Sequence, residues 1–107
     1  MKIDIKAKNL DFTPSVRVYI EQKLGSLAHF MTRYGEAVIC DVEIERITKH
    51  HRKGDVFRAE ANLRIPKKML RAESQAINIR IAIDAVKDKM QTLLKKEQGK
   101  SKVLPTY

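Results

Sequence analysis

Tryptophan is absent from this chain, cysteine occurs once, and acids are scarce: 13 Asp and Glu stand against 22 Lys and Arg over 107 residues. Each shortage excludes something. A single cysteine, Cys40, rules out an intramolecular disulfide and suits a reducing compartment. No apolar run approaches the length of a membrane span, and no charged-then-apolar leader opens the sequence, so the expectation is a cytoplasmic protein. With three Phe, three Tyr and no Trp, a core must be packed mainly from Ile, Val, Leu and Ala. Catalytic signatures are missing as well. There is no glycine-rich phosphate loop, no GxSxG, and no Cys/His metal spacing.

What is present reads as a single domain, soluble by composition, with 43% hydrophobic and 33% charged residues. Residues 1–8 alternate strictly, Ile3, Ile5 and Ala7 against Lys2, Asp4, Lys6 and Lys8, which predicts a half-buried strand. Thr13-Pro14 then supplies a helix start: threonine as N-cap acceptor, proline where its missing N–H costs nothing. Val16, Ile20, Leu24, Leu27 and Met31 follow at helical spacing, flanked by Tyr19 and Phe30. Gly25 weakens this helix by about 1 kcal/mol relative to alanine and marks close packing or an early end. Gly35 is the expected terminator.

A second alternation sets Val38, Cys40, Val42 and Ile44 inward, with Asp41, Glu43 and Glu45 outward. Its partner over residues 55–65 places Phe57, Ala59, Ala61, Leu63 and Ile65 on one side and Arg58, Glu60, Asn62 and Arg64 on the other. The basic stretch from Thr48 to Gly54 is the hairpin loop between them. Pro66-Lys67 turns the chain into a short strand carrying Leu70 and Ala72. A long helix is predicted from about Ser74 to Gln98 on Ile79, Ile83, Val86, Met90 and Leu93, widened by Ile77, Ile81 and Leu94 and stopped by Gly99. Residues 1–98 form the domain and 99–107 a short tail. The order βαβββα implies a parallel first strand pair and antiparallel hairpins thereafter. The expected fold class is α+β, a two-layer sandwich with a four-stranded mixed sheet and two helices on one face.

The charge is unevenly spread. From Ile65 onward ten bases face four acids, whereas residues 1–64 carry twelve bases and nine acids. A folded domain that concentrates positive charge repels itself, and a polyanion is the compensating partner. On the second helix Arg80, Asp84, Lys87, Gln91 and Lys95 are expected on one face, almost opposite the apolar stripe. Lys95 and Lys96 also stabilise the helix C-terminus by roughly 0.3–1 kcal/mol each, which needs no ligand. Asp84 and Asp88 read as salt-bridge members beside Arg80, Lys87 and Lys89, and His50-His51 as a solvated loop pair and not a metal site. Cys40 reads as a small buried thiol. A basic helical face without interleaved exposed aromatics favours phosphate contact over base stacking, hence folded RNA read by shape and backbone.

Two stretches carry a family likeness. The opening MKIDIKAKNLDFTPSVRVYIEQKLGSL and the later LRAESQAINIRIAIDAVKDKMQTLLKK together resemble the ribosome hibernation-promoting factor family, which includes ribosome-associated inhibitor A and was once called the sigma-54 modulation proteins. The likeness covers about residues 1–97 and fits the short forms. It implies a non-enzymatic translation inhibitor, without cofactor or small-molecule substrate, that binds rRNA of the small ribosomal subunit where mRNA and tRNA would lie, during stress or stationary phase. It implies rRNA contacts at Lys23, Lys87, Lys89, Lys95 and Lys96, to which the charge pattern adds Arg80, and a monomer off the ribosome. The family usually has Asp and Tyr where this chain has Asn78 and Arg80. A general double-stranded RNA binder and a protein-interaction modulator are the competing readings.

Overall fold

In the computed structural model, which describes residues 1–35, 38–47 and 56–103 with side chains to Gln98, the order is βαβββα. The strands are β1 (Lys2–Lys8), β2 (Ile39–Arg46), β3 (Phe57–Ile65) and β4 (Lys68–Ala76); the helices are α1 (Pro14–Gly25) and α2 (Ile79–Val103). The sheet order is β1-β2-β3-β4. β1 and β2 are parallel, as a connection through α1 requires, and the remaining pairs are antiparallel. The expected α+β sandwich with a mixed four-stranded sheet is the observed fold. The loop from Thr48 to Gly54, with His50-His51, lies outside the described residues, as does the end of the tail.

Alternation decides which side of the sheet is covered. Val38, Cys40, Val42 and Ile44 meet Ala59, Ala61, Leu63 and Ile65 and then Leu70, Ala72 and Ala76 in one buried layer. α1 packs over β1 and α2 over β3 and β4. The floor beneath α2 is rich in alanine (Ala59, Ala61, Ala72, Ala76), which lets Ala82, Ile83, Val86, Met90 and Leu94 sit close to the strands. Each fully buried large side chain there is worth about 1.5–3 kcal/mol.

Four details depart from the sequence-based expectation. α1 ends not at Gly35 but at Gly25, the early end that this glycine offered, and the chain continues as two short 3₁₀ segments, Ser26–Phe30 and Thr32–Tyr34, before Gly35 turns it at φ 68°. Gly25 itself is not a close-packing site, since a Cβ there would meet nothing within 4 Å. β4 is nine residues long and takes in Ser74–Ala76, which pair with Ala59, Arg58 and Phe57; the ladder overrides their local helical pattern. α2 therefore starts at Ile79, with Asn78 as N-cap, its Oδ1 accepting the Arg80 N–H at 2.7 Å. Ile77 and Ile81 do not widen the buried stripe but are 65% and 54% exposed. At about 100° per residue Ile81 points almost opposite Ile83. Finally, α2 runs through Gly99 to Val103, so Gly99 is not its stop.

Thr13 caps α1 as expected, its Oγ1 accepting the Val16 N–H at 3.2 Å. The 3₁₀ stretch is tied to the far end of α2: Gln98 Nε2 donates to the Phe30 carbonyl at 3.0 Å, and Arg33 donates to the Glu97 carbonyl at 3.3 Å.

Candidate nucleic-acid interface

The two outer surfaces of the sandwich differ in charge. On the open sheet face Lys2, Lys6, Lys8, Arg58, Arg64 and Arg71 are matched by Asp4, Asp41, Glu43, Glu45, Glu60 and Glu73, six against six. They are also wired together. Glu60, 8% exposed, accepts from Arg58 at 2.8 Å, from Asn62 at 3.1 Å and from Arg71. Lys8 pairs with Glu43 at 3.0 Å and Arg64 with Asp41 at 2.6 Å. Hydrogen bonds from Lys8 and Arg58 hold the Glu43 and Glu73 carboxyls below the usual carboxylate range. This face is neutral, and most of its charges are paired within it.

The helix layer is not. From Pro14 to Tyr34 and from Ile79 to Gln98 it carries eight bases, Arg17, Lys23, Arg33, Arg80, Lys87, Lys89, Lys95 and Lys96. Only four acids, Glu21, Asp84, Asp88 and Glu97, oppose them. Since the fold places both helices on one side, the surplus is displayed in one direction.

Within that layer the six expected contact residues fall on two flanks of α2. Lys23, Arg80 and Lys87 line the seam between α1 and α2. Lys23 Nζ lies 3.5 Å from Asp84, Arg80 donates to Ser15 Oγ at 2.6 Å, and Lys87, 24% exposed, donates to Gln91 at 2.7 Å. Lys95 continues this flank with its ammonium 5.8 Å from the Phe30 ring centroid. Lys89 is on the other flank and donates to the Glu73 carbonyl on β4 at 2.7 Å. Lys96, seven residues on and exposed, shares that flank. The expected face opposite the stripe is thereby corrected. Arg80, Asp84, Lys87 and Gln91 are half-buried at the helix–helix seam, because α1 occupies the side of α2 they point to.

Two bases escaped the sequence reading. Arg17 lies over Phe12 at 4.7 Å and Arg33 over Tyr34 at 5.0 Å. Both follow or flank the α1 stripe as isolated charges, so no run drew attention to them. Lys68, the first residue of β4, pairs with Glu97.

Among the described residues no group of three or more His, Cys, Asp or Glu could hold a metal ion, and no helix is long and apolar enough to cross a membrane. Cys40 is fully buried, and burial pushes its thiol up to about 12.

The sequence and the fold both point to one family. The sequence model of the sigma 54 modulation protein / S30EA ribosomal protein family matches residues 3–102, and the chain belongs to that non-enzymatic family. It is similar to the ribosome hibernation promoting factor of Klebsiella oxytoca, 26% identical over 102 residues that cover 95% of this chain and 98% of that one. It is also 28% identical over 96 residues to the ribosome hibernation promotion factor of Lactococcus lactis subsp. cremoris (strain MG1363), covering 90% of this chain but 49% of that protein. This chain thus spans about half the length of the second relative. Among solved structures, the Thermus thermophilus Protein Y N-terminal domain superposes with a TM-score of 0.72 at 27% identity, covering 91% of this chain and 99% of that one. A ribosomal subunit interface protein from Coxiella burnetii shares the fold, with a TM-score of 0.70 at 19% identity over 92% of this chain and 99% of that one.

Proposed function

We propose that this chain is a ribosome-binding translation inhibitor that docks its helix layer on small-subunit rRNA, near the sites of mRNA and tRNA, and holds ribosomes inactive during stress or stationary phase. The observation that carries this reading is the charge asymmetry of the sandwich: a neutral, self-paired sheet face against a helix layer with eight bases to four acids. Cations already satisfied by neighbouring carboxylates have little to offer a polyanion. Those in surplus on the helices release counterions when they meet phosphates, which makes binding strong and salt-dependent. The family membership and the names of the relatives support the ribosome as the bearer of those phosphates.

The test is a sucrose-gradient profile of stationary-phase lysate, followed by salt-dependent binding of the purified protein to small subunits. Co-sedimentation with ribosomal peaks is expected, and Lys87→Glu with Lys95→Glu should weaken binding and flatten its salt dependence. Unchanged affinity in that double variant would remove the proposed face. Binding to free duplex RNA as tight as to ribosomes would replace the ribosome with a general double-stranded RNA target.

A further inference from the structure

The seam between α1 and α2 contains an acid where a surface for polyanions should have none. The Tyr19 hydroxyl donates to Asp84 Oδ1 at 2.5 Å, and the same oxygen lies 3.5 Å from Lys23 Nζ. The Tyr19 ring in turn gathers two cations, with Lys23 Nζ 5.7 Å and Arg80 Cζ 5.4 Å from its centroid. Arg80 is fixed further by donating to Ser15 Oγ at 2.6 Å. As an acceptor from Arg80, the Ser15 hydroxyl keeps its own hydrogen free to donate outward.

This cluster is poorly explained as a stabilising device. The Lys23 and Asp84 side chains are 43% and 42% exposed, and ion pairs that open to water contribute little to stability. It is well explained as an arrangement of donors. Two long cationic side chains left alone would repel and wander, so any anion bridging them would have to order both on binding. The Asp84 carboxylate offsets the charge of Lys23, and the ring anchored to that carboxylate seats both cations. The cost to an incoming anion is one negative charge, against two positive charges seated on one ring.

We propose that Tyr19 and Asp84 are positioning residues that hold Lys23 and Arg80 as a two-cation clamp for one RNA backbone phosphate, with the Ser15 hydroxyl as a further donor. The clamp rests on the reading of the helix layer as the RNA surface and gives that surface a built subsite. Arg80 is central to it, because its planar guanidinium can face the ring and present N–H groups to phosphate oxygens together.

The test turns on a sign. Asp84→Ala removes a negative charge from the interface, so a merely electrostatic surface would bind ribosomes more tightly after the change. The clamp requires the opposite: affinity down about tenfold and the slope of log affinity against log salt shallower by about one. Tyr19→Phe, which keeps the ring and every charge, should weaken binding in the same direction, and circular-dichroism melting should show both variants folded. Tighter or unchanged binding by Asp84→Ala, while Lys95→Glu weakens it, would overturn the clamp and leave the helix-layer reading standing. Should the wild-type protein fail to sediment with ribosomes, the proposed function falls, and a short RNA duplex decides the clamp. Duplex-induced NMR shifts of the Arg80 Nε–H that vanish in Asp84→Ala would retain it, and no shift at Arg80 in the wild type would overturn it.

Discussion

Arg58 reaches four carboxylates across the open sheet face, at 2.8 Å to Glu60, 3.0 Å to Glu73, 3.6 Å to Glu45 and 3.8 Å to Glu43. Arg58→Met keeps most of the aliphatic stem and removes the charge that these acids share. Removing one partner of a fully buried pair costs about 3–5 kcal/mol, whereas an exposed pair is worth at most about 1 kcal/mol. Here Arg58 and Glu60 side chains are 17% and 10% exposed but Glu73 is 38% exposed. Glu60 also keeps Arg71 and Asn62, and Glu43 keeps Lys8. The expected loss is therefore intermediate, about 2 kcal/mol, or a fall in Tm of about 8 °C for a domain of this size. The effect has a definite pH dependence. The Arg58 hydrogen bond is the first cause of the lowered Glu73 pKa, so that contribution is fully present above the ordinary carboxylate value of 4.5 and is lost as pH falls through the lower folded value. The gap between wild type and variant should accordingly narrow between neutral pH and about pH 3, as read by circular-dichroism melts. Part of the wild-type acid sensitivity should survive in the variant, because Glu43 is lowered first by Lys8. A neutral-pH difference under about 2 °C, or a gap that is the same in acid, would refute the claim that Arg58 organises this face.

Other substitutions test the local backbone and the core. Gly25→Ala should stabilise by about 0.4–1 kcal/mol in urea unfolding, because Gly25 has helical φ −60° with nothing within 4 Å of a Cβ. Gly35→Ala should instead destabilise by about 1–3 kcal/mol, its φ of 68° and ψ of −147° being nearly exclusive to glycine. Ile83→Ala, emptying a position 1% exposed between α2 and the sheet, should cost about 2–5 kcal/mol. Cys40 should resist a thiol-specific reagent in the native protein and react at once in denaturant; rapid native labelling would contradict its burial.

Much of the fold was legible in the pattern of apolar residues, because each strand has a single buried face. Val38, Cys40, Val42 and Ile44 alternate as only a half-covered strand does, and every one of them is buried. Thr13-Pro14 announced a helix start through capping chemistry that acts within three residues. Local signals failed where pairing partners decide. Ser74–Ala76 look helical in isolation and become strand because Phe57–Ala59 offer them a ladder. Ile81 resembles a core residue until Ile83, Met90 and Leu94 set the direction of the stripe. Arg80 and Lys87 could be placed on a helix from sequence, but only the seat of α1 turned them from an outer face into a seam.

The sequence by itself determined the element order, most of the buried set, the excess of base over acid and the family, all of which depend on residue type and short-range spacing. The tertiary structure decided where that excess can act. Register brings six acids to six bases on the sheet and cancels them there. Helix packing leaves the surplus on the opposite layer and folds Tyr19 of α1 against Asp84 of α2, 65 residues away in the chain. Charge is a property of composition, but availability of charge is a property of neighbours, and neighbours so distant in sequence are made only by the fold.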